Sequence, residues 1–419
     1  MQCFVLFFCG VVLVRSVFPS LIIQKTDSMD LEVDNAFAVS LRFAYADNQA
    51  TMQAHHVRSR LVRHDFPFSS ELYTFTHAAR IKSKEITATV PQRPPTLMYT
   101  SPKSFFSVAP HINHWKSQKI VVPDMTDNET VVTLAKMASN AYLDPSKPNW
   151  YSLDPSFRMN SSYGMDGDAM RGYVYADPTN STFIVAVKGT SASFLWGDGG
   201  PTAPKDKMQD NLLFSCCCAR VDYSWTPVCG CYMQQNFCNQ TCLEQVVIPD
   251  EMYYNIAMDI VLDIETISPN ANVWMTGHSL GGAIAALVGV TFGIPTIAYQ
   301  APGDRLPGRR LHLPQPPGLE WREIPVWHVG HTADPIYTGT CVGARSSCYY
   351  AGFAMESKCH LGRTCVYDTM GEWGWKSDIR THRIWDVIER VMSKWEHGVP
   401  DCAPQDDCED CGLWEFVDA

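Results

Sequence analysis

Residues 271–289, ANVWMTGHSLGGAIAALVG, decide how the rest of the chain is read. An apolar run at 273–275 leads into Gly277, Ser279 and Gly281, and residues 282–290, rich in Ala and β-branched side chains, follow. Strand, G-x-S-x-G turn and helix in that order form a nucleophile elbow. A serine hydroxyl is a poor nucleophile at neutral pH, so it has to sit on a sharp turn where a histidine reaches its proton. The flanking glycines remove the Cβ atoms that would collide there. A helix that starts at Ser279 turns free backbone N–H groups and a positive dipole end towards the place where negative charge develops. His278, inside the turn, points away from the hydroxyl and is assigned a structural role.

Upstream, residues 130–142 carry apolar side chains at helical spacing, and residues 172–175 and 182–187 read as two strands joined by a turn at 177–180. The second strand is almost wholly apolar, as for a sheet covered on both faces, and runs into Lys188-Gly189-Thr190. Acyl transfer needs two N–H donors for the tetrahedral oxyanion. Leu280 is placed to supply one and Thr190 the other, with its hydroxyl as a possible third group. A helix starting at Pro249-Asp250-Glu251 and running to residue 267 feeds the elbow strand, and residues 295–298 and 324–329 are the next strands. Alternating strands and helices imply a mainly parallel sheet with its site at the carboxyl ends.

With the nucleophile first, the acid and the base follow in that order. Asp334, in the loop after strand 324–329, is favoured over Asp304 and Asp368. His382, just before an amphipathic helix over 384–395, is favoured as the base over His360 and His397.

The chain has 419 residues and a net charge of −11, which speaks against a nucleic-acid partner. Residues 1–120 are basic, with 13 Lys and Arg against 8 Asp and Glu, and the remainder is acidic. The opening twelve-residue apolar run, together with sequons at Asn128, Asn160, Asn180 and Asn239, indicates the secretory route. Fourteen of the sixteen cysteines lie after residue 200. In that compartment they read as disulfides rather than metal ligands, so neither a metal nor a cofactor is expected. The organisation expected is a signal or anchor segment at 1–23, and a basic stalk at 24–120 without sustained helical or strand period. A catalytic domain at 121–398 follows, with a cysteine-rich insertion at 191–247, and then a cysteine-rich tail at 399–419. The insertion carries SFLW at 193–196 and aromatics at 223–225, the composition of a lid that opens at a lipid surface.

GHSLGGAIA at 277–285, FIVAVKGT at 183–190, TADPIY at 332–337 and THRIW at 381–385 together resemble the four landmarks of the class 3 lipases over roughly residues 130–395. The resemblance implies an α/β-hydrolase fold, with a Ser279–Asp334–His382 triad cleaving acyl esters. The apolar N-terminus, the sequons, the cysteine cluster at 216–242 and the tail are most similar to the fungal autophagy-related vacuolar lipases. That similarity implies a phospholipid membrane as substrate, with triacylglycerol as a second. It also implies a single-pass type II anchor, delivery through endosomes and multivesicular bodies, and lysis of autophagic bodies in the vacuole. The same catalytic residues also fit a secreted soluble esterase, and an inactive hydrolase used as a membrane-bound binding module.

Overall fold

The computed structural model describes residues 62–63, 81–91, 115–153, 156–191, 200–313 and 318–418. The strands are β1 (Val62–Arg63), β2 (Ser83–Pro91), β3 (Trp115–Pro123), β4 (Arg158–Tyr163), β5 (Gly172–Ala176), β6 (Thr182–Val187), β7 (Tyr232–Gln234), β8 (Phe237–Asn239), β9 (Asn272–His278), β10 (Thr296–Tyr299), β11 (Val326–His331), β12 (Arg363–Tyr367), β13 (Cys402–Ala403) and β14 (Glu415–Val417). Nine of them form one sheet in the order β1-β4-β5-β6-β9-β10-β11-β12-β13. Strands β6, β9, β10, β11 and β12 run parallel.

The edges correct the expectation of a mainly parallel sheet, because β1, β4, β5 and β6 pair antiparallel, as do β12 and β13. The reason is connection length. Only a short turn joins β5 to β6, pinned by Asp177 accepting from the N–H groups of Ser181 and Thr182, whereas a parallel crossover needs a dozen or more residues.

Strand alternation divides the interior into two layers. Phe183, Val185 and Val187 of β6 and Val273 and Met275 of β9 face one apolar cluster, shared with α4 (Tyr253–Ile267) and α5 (Leu280–Phe292). Ile184, Ala186 and Trp274 face the other, built against α1 (Asn128–Asn140) and the segment from Ile384 to Met392. Between β6 and β9 come α2 (Ala203–Phe214) and α3 (Gln240–Val246). Helix α1 starts cleanly because the Asp127 carboxylate accepts from Thr130 N. Helix α4 begins at Tyr253, not at Pro249, since residues 249–252 form a turn closed by Met252 N to Pro249 O. The expected helix at 384–395 is shorter: Ile384–Asp386 continues as a π-helical stretch, Val387–Met392, with Ile384, Val387, Ile388 and Val391 buried.

The front region was expected to carry no sustained strand period, yet at residues 83–91 and 115–123 strands β2 and β3 pair over nine residues. Val90 and Val122 are buried, and Thr89 donates to Glu323, so the hairpin packs on the sheet domain. Its outer half is exposed and charged, which hides the period-two signal. The segment at 1–23 lies outside the described residues. Among those described, no helix is long and apolar enough to cross a membrane.

Trp274 is buried, and its indole N–H donates to Val121 O at 3.0 Å, tying β9 to β3. Replacing Trp274 with Ala removes both the ring and that bond. It should cost about 3–5 kcal/mol of stability, read as a lowered midpoint in urea unfolding.

Candidate active site

Strand β9 ends at His278 and α5 begins at Leu280, leaving Ser279 alone to make the turn, at φ 56° and ψ −129°. A side chain in that region costs on the order of 1–3 kcal/mol, and close packing on every side holds it there. A Cβ on Gly277 would come within 2.4 Å of Gly281 O, and one on Gly281 within 2.4 Å of Val187 O. Glycine is therefore required at both positions. Ser279 N donates to Tyr299 O at 2.9 Å, which fixes the turn to β10.

His382 ends a short 3-10 turn, Ile379–His382, and Asp334 lies in the loop after β11. His382 Nε2 is 2.9 Å from Ser279 Oγ, and His382 Nδ1 is 2.7 Å from Asp334 Oδ2. The carboxylate accepts, so Nδ1 carries the proton and Nε2 is left to accept from the serine hydroxyl. Asp334 Oδ1 also accepts from Ile336 N at 2.9 Å, which fixes the carboxylate plane. Asp334 and His382 are fully buried and Ser279 is 5 % exposed. This arrangement can move a proton from an attacking hydroxyl to an imidazole held in one tautomer.

The competing residues are elsewhere. Asp304 sits beside His328, 3.1 Å away, and accepts from Leu361 N. Asp368 caps the helical turn Thr369–Trp373. His360 bonds Ala301 O and Gln405, and His397 is exposed beside Glu372.

Several groups that the sequence does not advertise hold this geometry. His278 Nε2 lies 2.8 Å from His382 O, and His331 Nε2 lies 3.0 Å from Thr381 O. A carbonyl only accepts, so both rings donate from Nε2, and burial keeps both pKa values below the ordinary histidine range. His278 thus grips the backbone of the candidate base. Its Nδ1 accepts from Tyr142 Oη at 2.7 Å. On the opposite flank, Lys188 Nζ is buried 2.9 Å from Asp206 Oδ2, and also reaches Gly189 O and Ser191 Oγ. Burial pulls the Lys188 pKa down.

Thr190, the third residue after β6, donates its hydroxyl to Asp210 Oδ2 at 2.6 Å. The Thr190 hydroxyl proton is thereby already committed to Asp210.

All fourteen cysteines after residue 200 are paired: Cys216–Cys411, Cys217–Cys238, Cys218–Cys229, Cys231–Cys242, Cys341–Cys348, Cys359–Cys408 and Cys365–Cys402. The sulfurs of Cys218, Cys229 and Cys231 lie within 4.8 Å of one another, but each is in a disulfide and offers no thiolate. Of the sequons, Asn128 and Asn180 are exposed, while Asn160 and Asn239 are half-buried, Asn239 capping α3 through its side-chain oxygen. The SFLW stretch lies outside the described residues. Tyr223 is fully open to solvent and Trp225 packs against Tyr349 at 5.3 Å between ring centres.

Residues 204–294 match the model of the family described as Lipase (class 3). The chain belongs to the class 3 lipase family. Among curated relatives, "Putative lipase ATG15" of Cryptococcus neoformans var. neoformans serotype D (strain B-3501A) is 50% identical over 304 residues, 72% of this chain and 57% of that one. The protein of the same name from Saccharomyces cerevisiae is 45% identical over 307 residues, 72% of this chain and 59% of its own. The chain thus spans a little over half the length of these relatives. Among solved structures, the mono- and diacylglycerol lipase from Aspergillus oryzae aligns at 14% identity and a TM-score of 0.34, covering 62% of this chain and 98% of that one. Lip2 lipase from Yarrowia lipolytica aligns at 13% and 0.33, covering 57% and 78%.

Burial pushes the Asp210 carboxyl up to about 8, and Asp206 nearby adds to the rise. Between the ordinary carboxylate value and about 8 the folded state therefore holds a proton that the unfolded chain has lost, so stability falls as pH rises through that window. Asp210→Asn should flatten this fall, measured as urea midpoints from pH 4 to pH 8.

Proposed function

We propose that the protein is a serine lipase and phospholipase acting on acyl esters of membrane phospholipids, with triacylglycerol as a further substrate. The single observation carrying the reading is the continuous contact from Asp334 through His382 to Ser279, at 2.7 and 2.9 Å. In the proposed reaction His382 Nε2 takes the Ser279 proton as Oγ attacks the ester carbonyl, and Asp334 stabilises the imidazolium. The backbone N–H groups of Leu280 and Thr190 receive the oxyanion. Collapse expels the alcohol, which takes the proton from His382. Water, deprotonated by the same imidazole, then releases the fatty acid and restores Ser279.

The cysteine pairing supports an oxidising compartment, and the name shared by the curated relatives supports a role in autophagy. We place the enzyme in the endosome, multivesicular body and vacuole lumen, where it would lyse autophagic bodies and other internal vesicles. Glycans at the two exposed sequons, Asn128 and Asn180, suit that route. An N-terminal type II anchor belongs to the same proposal.

Ser279→Ala should lower the release of fatty acid from mixed phospholipid vesicles by about 10⁴-fold or more with an unchanged unfolding midpoint. Mass spectrometry of the products and loss of fluorophosphonate labelling check it, and retained turnover would end the assignment. If the SFLW stretch is a lid, serine at Phe194, Leu195 and Trp196 spares a soluble short-chain ester and impairs a bilayer substrate, so equal loss on both removes the lid.

A further inference from the structure

A cavity of about 590 Å³ has a lining that includes Tyr142, Asp144, Lys147, Asp166 and Arg171. Gly189 relates Tyr142 of that lining to Ser279. A Cβ there would stand 2.3 Å from Tyr142 Oη and 3.0 Å from Ser279 Cβ, so the phenol that borders the cavity also touches the nucleophile's surroundings. Arg171 approaches from the other side, its carbonyl accepting from Lys188 N at 3.0 Å, two residues before Thr190. Arg171, part of the lining, thus sits next to the strand end that leads to the candidate oxyanion loop.

The charges in the lining are unevenly occupied. The Arg171 guanidinium reaches only Tyr142 O, at 3.3 Å, and its Nε is buried without a hydrogen-bond partner. Among the described residues, neither Arg171 nor Lys147 has a salt bridge. One oxygen of the Asp144 carboxylate accepts from the hydroxyl and N–H of Ser146, which lowers its pKa and keeps it ionised. Asp166 is exposed to water. Arg171 and Lys147 thus keep donors free in a lining that also holds the water-exposed carboxylates of Asp144 and Asp166, and Arg171 is a planar fork suited to a pair of equivalent anionic oxygens.

We propose that this cavity is a phosphodiester subsite, in which Arg171 and Lys147 hold the phosphate of a glycerophospholipid while its neighbouring acyl ester lies against Ser279. This rests on the lipase reading above and deepens it. In a glycerophospholipid the phosphate is attached to the carbon next to an ester-bearing carbon, so it must lie close to the scissile carbonyl. Leu143, Pro148 and Met165 also line the space, but its four charged groups disfavour an acyl chain, whose burial there would strip the ionic groups of water without compensation. An uncharged diacylglycerol leaves both cations unpaired, so the subsite favours phospholipid over neutral glyceride.

The experiment uses the full chain and neutral detergent mixed micelles carrying either dioleoylphosphatidylcholine or dioleoylglycerol, and reads the ratio of kcat/KM for the two. Lys147→Gln and Arg171→Gln together should lower that ratio about tenfold or more, the scale of losing a charge-assisted hydrogen bond. The charge-preserving pair Lys147→Arg and Arg171→Lys should keep most of it. Lys147→Gln alone, at an exposed position, tests the idea if the Arg171 variants fold poorly, and should lower the ratio by a smaller factor. A wild type that cleaves phosphatidylcholine with a ratio indifferent to these variants, or a parallel loss on both lipids, overturns the subsite and leaves the lipase reading standing. A wild type that cleaves the diacylglycerol but not phosphatidylcholine overturns the phospholipid reading and the subsite together.

Discussion

The site depends on a fit between backbones: β9, the Ser279 turn and α5 are pressed against the end of β6 with no room for a side chain at Gly277 or Gly281. That fit places Ser279 at a positive φ. It also sets the distance between the serine hydroxyl and everything that approaches it from later in the chain. Hydrophobic burial on both sheet faces provides the driving force, but the elbow converts it into position. An α5 helix made of Ala, Gly and aliphatic residues, buried along its whole length, is what lets the helix come so near the strands.

Around that fixed point the polar groups are arranged so that buried donors and acceptors satisfy one another. Asp334 fixes the His382 ring, while His278 and His331 fix its backbone and that of Thr381. Each of these histidines comes from the end of a central strand, β9 or β11, so the base is held against the rigid part of the sheet rather than by its own loop. The Lys188–Asp206 pair does the same for residues 188–191, with Ser191 N and Thr202 also donating to that carboxylate and the Tyr253 hydroxyl donating to its other oxygen. A buried charge with so many partners is costly to disturb from either side.

Local pattern made the elbow legible: glycine spacing, an apolar strand before and a small-residue helix after are all visible within nineteen residues. The placement of Asp334 and His382 near Ser279 was legible for a different reason, since chain order and loop position restrict the choices in this architecture. What stayed hidden depends on distance along the chain. Tyr142 meets His278 across 136 residues, and Asp206 meets Lys188 from inside an insertion whose composition suggests only disulfides and aromatics. The β2–β3 hairpin is hidden because half of it faces water, and the antiparallel edges because strand and helix alternation is blind to a short turn between two strands.

The cysteines at 216, 217 and 218 are consecutive, yet their partners lie 195, 21 and 11 residues downstream. During vectorial synthesis the near partners emerge first, while Cys216 has to wait for Cys411. A thiol left open beside two reacting neighbours invites wrong pairings, which thiol–disulfide exchange has to undo before the native set is reached. The insertion becomes locked to the tail only after the base and acid segments between them have been made.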